Sequence, residues 1–298
     1  MPDQLDHCGF ITLLGRPNVG KSTLLNRILG QKLSITSRKP QTTRSRILGI
    51  KSSSVSQAIF IDTPGIQESP SGLFNKYMNG EINIALNDVD VIVHLVEAIK
   101  WTSVDRLAWD RVKEGRTTKI LAINKVDRVK DKKQMLPLMK ELESLGTYKH
   151  IIPVSAKQGT GIDILEELLI GELPSGPPYF PDDQVTDKNE KYLAAEFIRE
   201  KLTRYLGEEV PYNLTVTIDK FQDTRSLARI YATIWVSSEG QRRIVIGKKG
   251  EVLKKSGELA RKDLEFLLGK KVFIQTWVKT MKKWTRSNRA LKQFGYTN

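Results

Sequence analysis

The chain has 298 residues, a length that suggests two domains. With 39% hydrophobic and 28% charged residues, one cysteine and no apolar run near the roughly 18 to 20 residues of a membrane span, disordered, fibrous, disulfide-scaffold and membrane-spanning classes are excluded and a reducing cytosol is favoured. The net charge of +14 is uneven, because residues 220–298 alone carry 19 basic and 6 acidic side chains, an asymmetry that points to a polyanion, either nucleic acid or an anionic membrane face.

Cys8 with His7, His94 and His150 lacks the paired spacing of a structural zinc site, so the histidines are read as structural. The opening MPDQLDHC is acidic and polar, so a signal or transit peptide is not expected. From residue 10 the chain alternates short β-branched runs with helical stretches. FITLL (10–14) precedes a helix from Lys21 with Leu24, Leu25, Ile28 and Leu29 on one face; AIFID (58–62), VDVIVHLVE (89–97), KILAIN (119–124) and IIPVS (151–155) follow. Apolar runs alternating with helices predict an α/β layer fold, a mostly parallel sheet with helices on both faces. Four of the twelve prolines fall in LPSGPPYFP (173–181). They set the expected boundaries: one domain over 1–173, a proline-rich linker over 174–182 and a second domain over 183–298. That second domain is predicted as a helix over 189–206, strands over 213–221 and 227–238, a short helix with a GKKG turn, a long helix over 251–268, a strand over 271–279 and a terminal helix carrying Trp284. No internal repeat or low-complexity tract is found.

Four motifs sit at strand ends. Gly15-Arg16-Pro17-Asn18-Val19-Gly20-Lys21-Ser22 is a complete G-x-x-x-x-G-K-[ST] loop between a predicted strand and helix, with Thr23 next to it. Backbone N–H groups and the helix N-terminus cradle phosphate, Lys21 reaches the β/γ oxygens, and the Ser22 hydroxyl is placed to ligate Mg²⁺. Asp62-Thr63-Pro64-Gly65 adds a carboxylate for the metal's water shell and, at Gly65, a backbone N–H for a γ-phosphate. Asn124-Lys125-Val126-Asp127 reads the base: the Asp127 carboxylate accepts both guanine donors, Asn124 braces the loop and base, and the Lys125 stem covers the ring. Ser155-Ala156-Lys157 follows the last strand and meets the base O6. The polar, basic, threonine-rich segment 32–46 is expected to be a switch in which Thr42 or Thr43 reaches Mg²⁺. After D-x-x-G stands Ile66, which cannot orient water, so turnover is expected to be slow, about 10⁻⁴ to 10⁻² s⁻¹.

In the basic half, Ile246-Gly247-Lys248-Lys249-Gly250 is a G-x-x-G loop between two helices, suited to close approach of a nucleic-acid backbone, with Leu253 completing an apolar groove. Its element order resembles a type II K homology domain, which implies a grip on about four unpaired nucleotides. Trp235, Trp277 and Trp284 are base-stacking candidates, strand alternation favouring core positions for the first two.

Together with Gln41-Thr42-Thr43-Arg44 as first switch, these motifs make the chain resemble the Era family of bacterial ribosome-assembly GTPases over both domains, from about Gly9 to Tyr296. The resemblance implies a GTPase with GTP/GDP and Mg²⁺, Thr43 rather than Thr42 on the metal beside Ser22 and Asp62, and Lys21, Thr43 and Gly65 as the catalytic set. It further implies 16S ribosomal RNA near its 3′ end and the 30S subunit as partners, and a cytoplasmic location with peripheral contact to the inner membrane. A monomer is expected. Asn18 resembles an asparagine that in some relatives ligates a monovalent cation. The rival reading is a non-switching RNA chaperone in which guanine nucleotide is only a stabiliser.

Overall fold

The computed structural model describes residues 5–68, 71–207 and 210–296. The chain divides into two compact units. One comprises Met1–Ser34, Thr43–Pro70 and Met78–Asp187, the other Ile35–Thr42, Ser71–Tyr77 and Lys188–Asn298.

The first unit is an α/β fold. Its elements in chain order are β1 (His7–Leu14), α1 (Lys21–Ile28), β2 (Ile47–Ser52), β3 (Ser56–Asp62), α2 (Leu73–Leu86), β4 (Val91–Glu97), α3 (Ser103–Val112), β5 (Thr118–Asn124), α4 (Leu136–Ser144), β6 (His150–Pro153) and α5 (Ile162–Gly171). The first residues of α2 are grouped with the second unit. The six strands run in the order β2-β3-β1-β4-β5-β6, all parallel except β2 against β3. Burial on both faces explains the unbroken apolar strands: β3 is buried along its whole length and β4 at every position but Glu97. The chain builds outward from β1 in both directions, so strand order reverses beside β1, and the carboxyl ends of β1 and β4 form the switch point at which such sheets bind ligands.

Two sequence expectations change here. Strand β2 comes in addition to the expected ones; it is an antiparallel edge added by the segment after the switch. The proline-rich stretch is not a free linker but a strap on the first unit. Cys8 N–H donates to the Pro174 carbonyl at 2.7 Å, the Gln57 amide grips the backbone of Tyr179 and Phe180, and the Tyr179 ring packs on Phe10 at 4.9 Å. Proline fixes φ and removes a donor without preventing a segment from docking. The division falls after Asp187 instead.

The second unit contains α6 (Glu190–Tyr205), β7 (Thr215–Asp223), β8 (Leu227–Val236), α7 (Glu239–Ile246), α8 (Glu251–Leu268), β9 (Lys271–Thr280) and α9 (Asn288–Gln293). Its sheet has the order β7-β8-β9, antiparallel then parallel. Ile198 and Leu202 of α6, Val245 of α7 and Ala260 of α8 cover one sheet face, against Ala232, Ile234, Val236 and Val278. Within this unit Arg199 donates to the Thr42 carbonyl, and Glu200 accepts from the Thr36 N–H at 2.8 Å. Trp284 lies on a 3₁₀ turn ahead of α9 rather than inside the terminal helix.

Candidate functional site

The phosphate loop leaves β1 and enters α1 through Gly20, which is left-handed. Lys21 is buried inside the loop it closes, its ammonium donating to the carbonyls of Gly15 at 3.0 Å and Arg16 at 3.2 Å. Burial pushes its pKa down to about 8, with Asp62 opposing and Arg16 reinforcing the fall. The Ser22 hydroxyl donates to Asp62 Oδ2 at 2.6 Å and lies 2.9 Å from the Thr43 hydroxyl, which is 3.3 Å from that same oxygen. Three hard oxygen donors from the phosphate loop, the switch and the end of β3 thus meet at one point. The other oxygen of Asp62, Oδ1, is buried and accepts no hydrogen bond from the described residues. Burial raises the Asp62 carboxyl above its ordinary value despite hydrogen bonds from Ser22 and the charge of Lys21. A carboxylate held dry and half-unsatisfied beside two hydroxyls fits an oxygen-seeking divalent cation.

Gly65 lies against the phosphate loop, where a Cβ would stand 2.6 Å from the Pro17 nitrogen and 2.7 Å from its Cα. Only glycine brings this backbone so close. Thr63 turns away, its hydroxyl donating to the Leu13 carbonyl at 2.7 Å, so its part is to fix the turn. Pro64 is buried beside it, and Ile66 is a fully buried core residue packed with Leu14, Ile61 and Ile82. In the phosphate loop Val19 is buried, Thr23 is half-buried, and Asn18 is exposed with φ 62°.

The loops expected to read the base are tied together by Asn124. Its amide donates to the Val19 carbonyl at 2.8 Å, and its Oδ1 accepts from the N–H groups of Lys125 and Ala156. One side chain thereby joins three loops, with its oxygen and one of its two amide N–H donors committed to bracing. Asp127 accepts from the Ser155 hydroxyl at 2.6 Å through Oδ1, which orients its carboxylate while Ser155 accepts the Gln158 N–H. Lys125 takes left-handed backbone geometry with its ammonium 3.2 Å from Glu97, which fixes the course of its stem. Lys157 is exposed.

Sequence reasoning missed Glu97, Asp105 and Arg27. Glu97, at the end of β4, pairs with Arg16 at 2.6 Å as well as Lys125. Partial burial pushes its carboxyl up, but hydrogen bonds and charge from those cations outweigh this and hold it below the ordinary range. Asp105, fully buried in the α3 capping box, lies 3.3 Å from the Arg16 guanidinium. Arg27 holds the Ala156 and Lys157 carbonyls. The last residue of a parallel strand was the available signal for Glu97; nothing in the sequence marked Arg27.

In the second unit, α7 ends at Gly247 (φ 75°, ψ 175°), where a Cβ would lie 2.6 Å from Val252 Cγ2, and Lys249 is left-handed at φ 51°. Lys248 and Lys249 are exposed. Beside them a groove of about 400 Å³ is lined by Gly250, Leu253, Lys254, Arg261, Phe273 and Ile274, among others. Leu253 takes the expected place, whereas Ile246 packs partly buried against the core beneath the loop. Lys254 and Arg261, seven apart along α8, share one helical face. The tryptophan assignment changes at Trp277 and Trp284, while Trp235 is half-buried and packed on Phe294 as expected. Trp284 is fully buried among Phe74, Phe294 and Tyr296, while Trp277 is 42% exposed. Strand alternation separates two faces without saying which one the helices cover.

Residues 10–125 match the family described as 50S ribosome-binding GTPase, and residues 209–285 match the KH domain. The chain is 48% identical over 289 residues to GTPase Era of Pseudomonas fluorescens, covering 97% of this chain and 96% of that one. It is 48% identical over 290 residues to GTPase Era of Coxiella burnetii, covering 97% and 98%. Among solved structures it resembles Era in complex with MgGDPNP and nucleotides 1506–1542 of 16S ribosomal RNA, with a TM-score of 0.94 and 37% identity over 98% of this chain and 99% of that one. A point variant of Aquifex aeolicus Era bound to GDP and AlF4⁻ gives the same score and identity, covering 98% and 100%. A GTPase-family match over residues 10–125, a KH domain and near-complete coverage at this identity together mean that the chain belongs to the Era family of GTPases.

Proposed function

We propose that the protein is a GTP-driven switch that grips unpaired RNA near the 3′ end of 16S ribosomal RNA and acts in processing that RNA and in assembling the 30S subunit. The carrying observation is the meeting of Ser22, Thr43 and Asp62 at 2.6 to 3.3 Å in a chain that also holds a basic G-x-x-G groove. The relative solved with 16S nucleotides and MgGDPNP supports the partner, the nucleotide and the metal.

In this reading the loop from Gly15 to Thr23 wraps the phosphates, with Lys21 donating to the β/γ oxygens. Ser22, Thr43 and Asp62 hold Mg²⁺, which when bound neutralises charge on the transferring phosphoryl group. The Gly65 N–H faces the γ-phosphate, Asp127 accepts from guanine N1 and N2, and the Ala156 backbone approaches O6. Loss of the γ-phosphate removes the partners of Thr43 and Gly65 and frees the switch. The residue before Thr43 is the one whose carbonyl Arg199 holds in the second unit. Ile66, locked in the core, cannot orient water, so hydrolysis is slow until RNA or another factor organises the site. We assign a monovalent cation to the exposed Asn18, a cytoplasmic monomer as the working form, and peripheral contact with anionic inner membrane to the basic second unit. No helix among the described residues is long and apolar enough to cross a membrane.

Adding the unpaired 3′-terminal RNA of 16S rRNA is expected to raise single-turnover GTP hydrolysis at least several-fold over the intrinsic rate. An unchanged rate would favour a passive RNA-binding module stabilised by nucleotide.

Lys21 supplies a second test. Phosphate needs the ammonium form, and burial leaves the free protein's pKa at about 8. GTP affinity should be level below that pH and fall by up to tenfold per unit above it, with proton uptake absent on the level limb and rising to one per nucleotide on the falling one. Calorimetry in buffers of different ionisation enthalpy measures this; flat affinity from pH 7 to 9.5 would contradict it.

A further inference from the structure

Helices α6, α7 and α8 all pack on one face of the β7–β8–β9 sheet, and the opposite face carries aromatic rings. Tyr231 of β8 stands 6.2 Å from Phe273 and 6.2 Å from Trp277 of β9, stacked on the latter at 20°. Phe273 is 46% and Trp277 42% exposed, where their neighbours Val272 and Val278 are buried under the helices. Further along β8, Trp235 packs on Phe294, so the open part of the face is the stretch from Phe273 to Trp277. Large rings left in water in a row are an unusual use of apolar surface and mark a binding face.

The surroundings argue for the occupant. Register places Arg229 beside Phe273 and Lys220 beside Tyr231, and Lys271 and Lys279 bound the row along β9; all four are exposed. Lys279 sits 5.7 Å from the centre of the Trp235 ring. Of the carboxylates on the sheet, Asp219 is engaged by the Thr233 hydroxyl and Asp223 by Lys270, while Glu258 lines the adjoining groove together with Lys254 and Arg261. A protein partner is usually met by an apolar centre with charge kept to the rim, whereas rings interleaved with cations suit bases on a phosphate chain. Phe273 belongs to both surfaces: it lines the groove beside Gly250 and Leu253 and meets Tyr231 on the open face. A strand leaving the groove meets the platform with no gap.

We propose that this open face of the sheet is a second RNA surface, on which Phe273, Tyr231 and Trp277 stack unpaired bases of the strand that continues out of the Gly247–Gly250 groove. The proposal rests on the reading of that groove as an RNA site. It makes the protein's footprint on RNA longer than the four nucleotides of the loop.

The test uses full-length protein and two probes, the unpaired 3′-terminal twelve nucleotides of 16S rRNA and the four-nucleotide piece of it that binds best. The variant is Tyr231→Ala with Trp277→Ala; Trp277→Ser alone serves if the double variant unfolds. Wild-type protein is expected to bind the long probe more tightly than the short one. The variant should lose about tenfold or more of that gain, as expected for lost base–aromatic stacking, while holding the short probe as well as wild type does. Trp277→Phe, which keeps a ring, should retain most of the gain. An unchanged ratio of long to short affinity would overturn the platform. So would a wild-type dimer in sedimentation that these substitutions dissociate, because the face would then belong to a second copy. Failure of wild type to bind the short probe would instead overturn the groove reading.

Discussion

Asp127→Asn is expected to lower GTP affinity by about 10² to 10⁴-fold and to make XTP the better ligand. In the proposed reading the carboxylate accepts from two guanine donors, and charge-assisted hydrogen bonds contribute about 1.5 to 3 kcal/mol each, so converting one acceptor to a donor costs a few kcal/mol against guanine. Xanthine carries a carbonyl where guanine carries the amino group, and the new amide donates to it. The substitution keeps shape and leaves an oxygen for the Ser155 hydroxyl, which in the wild-type protein donates to Asp127 Oδ1 at 2.6 Å. Thermal stability should therefore change little, and an affinity loss without a fall in melting temperature separates base reading from misfolding. Competition of GTP and XTP for a fluorescent nucleotide measures the switch. If the variant keeps the wild-type preference for GTP, the assignment of Asp127 is wrong.

The second large effect is on RNA. Replacing Lys248 and Lys249 by Asp should weaken binding to unpaired RNA by more than tenfold while GTP affinity stays near wild type. Both side chains are exposed at the tip of the G-x-x-G turn, so no core contact is lost. Lys249 is left-handed, a geometry that aspartate tolerates better than most residues. Each phosphate contact removed should lower the log–log salt slope by about 0.7. Anisotropy titrations at several salt concentrations read both quantities. A loss under threefold, or one equal at every salt concentration, would move the grip elsewhere, the basic stretch from Lys279 to Arg289 being next.

Much of the proposed nucleotide site can be read in the sequence because phosphate loops are local. Gly15 to Ser22, Asp62 to Gly65 and Asn124 to Asp127 each end a strand, and a parallel sheet brings strand ends to one edge whatever the details of packing. The residues that brace the site are not legible in the same way. Glu97 gathers Arg16 and Lys125, and Arg27 reaches Ala156 across 129 positions of sequence; no periodicity announces such contacts.

Other surprises come from alternatives that a one-dimensional pattern cannot choose between. The prolines of 173–181 mark a break in regular structure, yet Gln57 and Cys8 hold that segment on the first unit, because proline forbids helix and ladder but not docking. The side chain of Ile66 shows by its chemistry alone that it cannot activate water, while its place in the core with Ile82 and Leu14 emerges only once α2 is packed.

By itself the sequence carried the local signals: the order of the expected phosphate, metal and base motifs, the excess of lysine and arginine in the last 79 residues, and apolar runs or alternation that mark every strand but β2. These are covalent and local properties, legible in the order of residues. What only the tertiary structure decided was which of two equivalent options each element takes. Alternation along β9 offers one face to a core and one to water, and the cover of α6, α7 and α8 placed Val272 and Val278 inside and Phe273 and Trp277 outside. The same packing buried Trp284 among Phe74 and Tyr296. The reason is physical: a strand's period of two is symmetric between its faces, and burial, which breaks that symmetry, belongs to the assembled core and not to any segment alone.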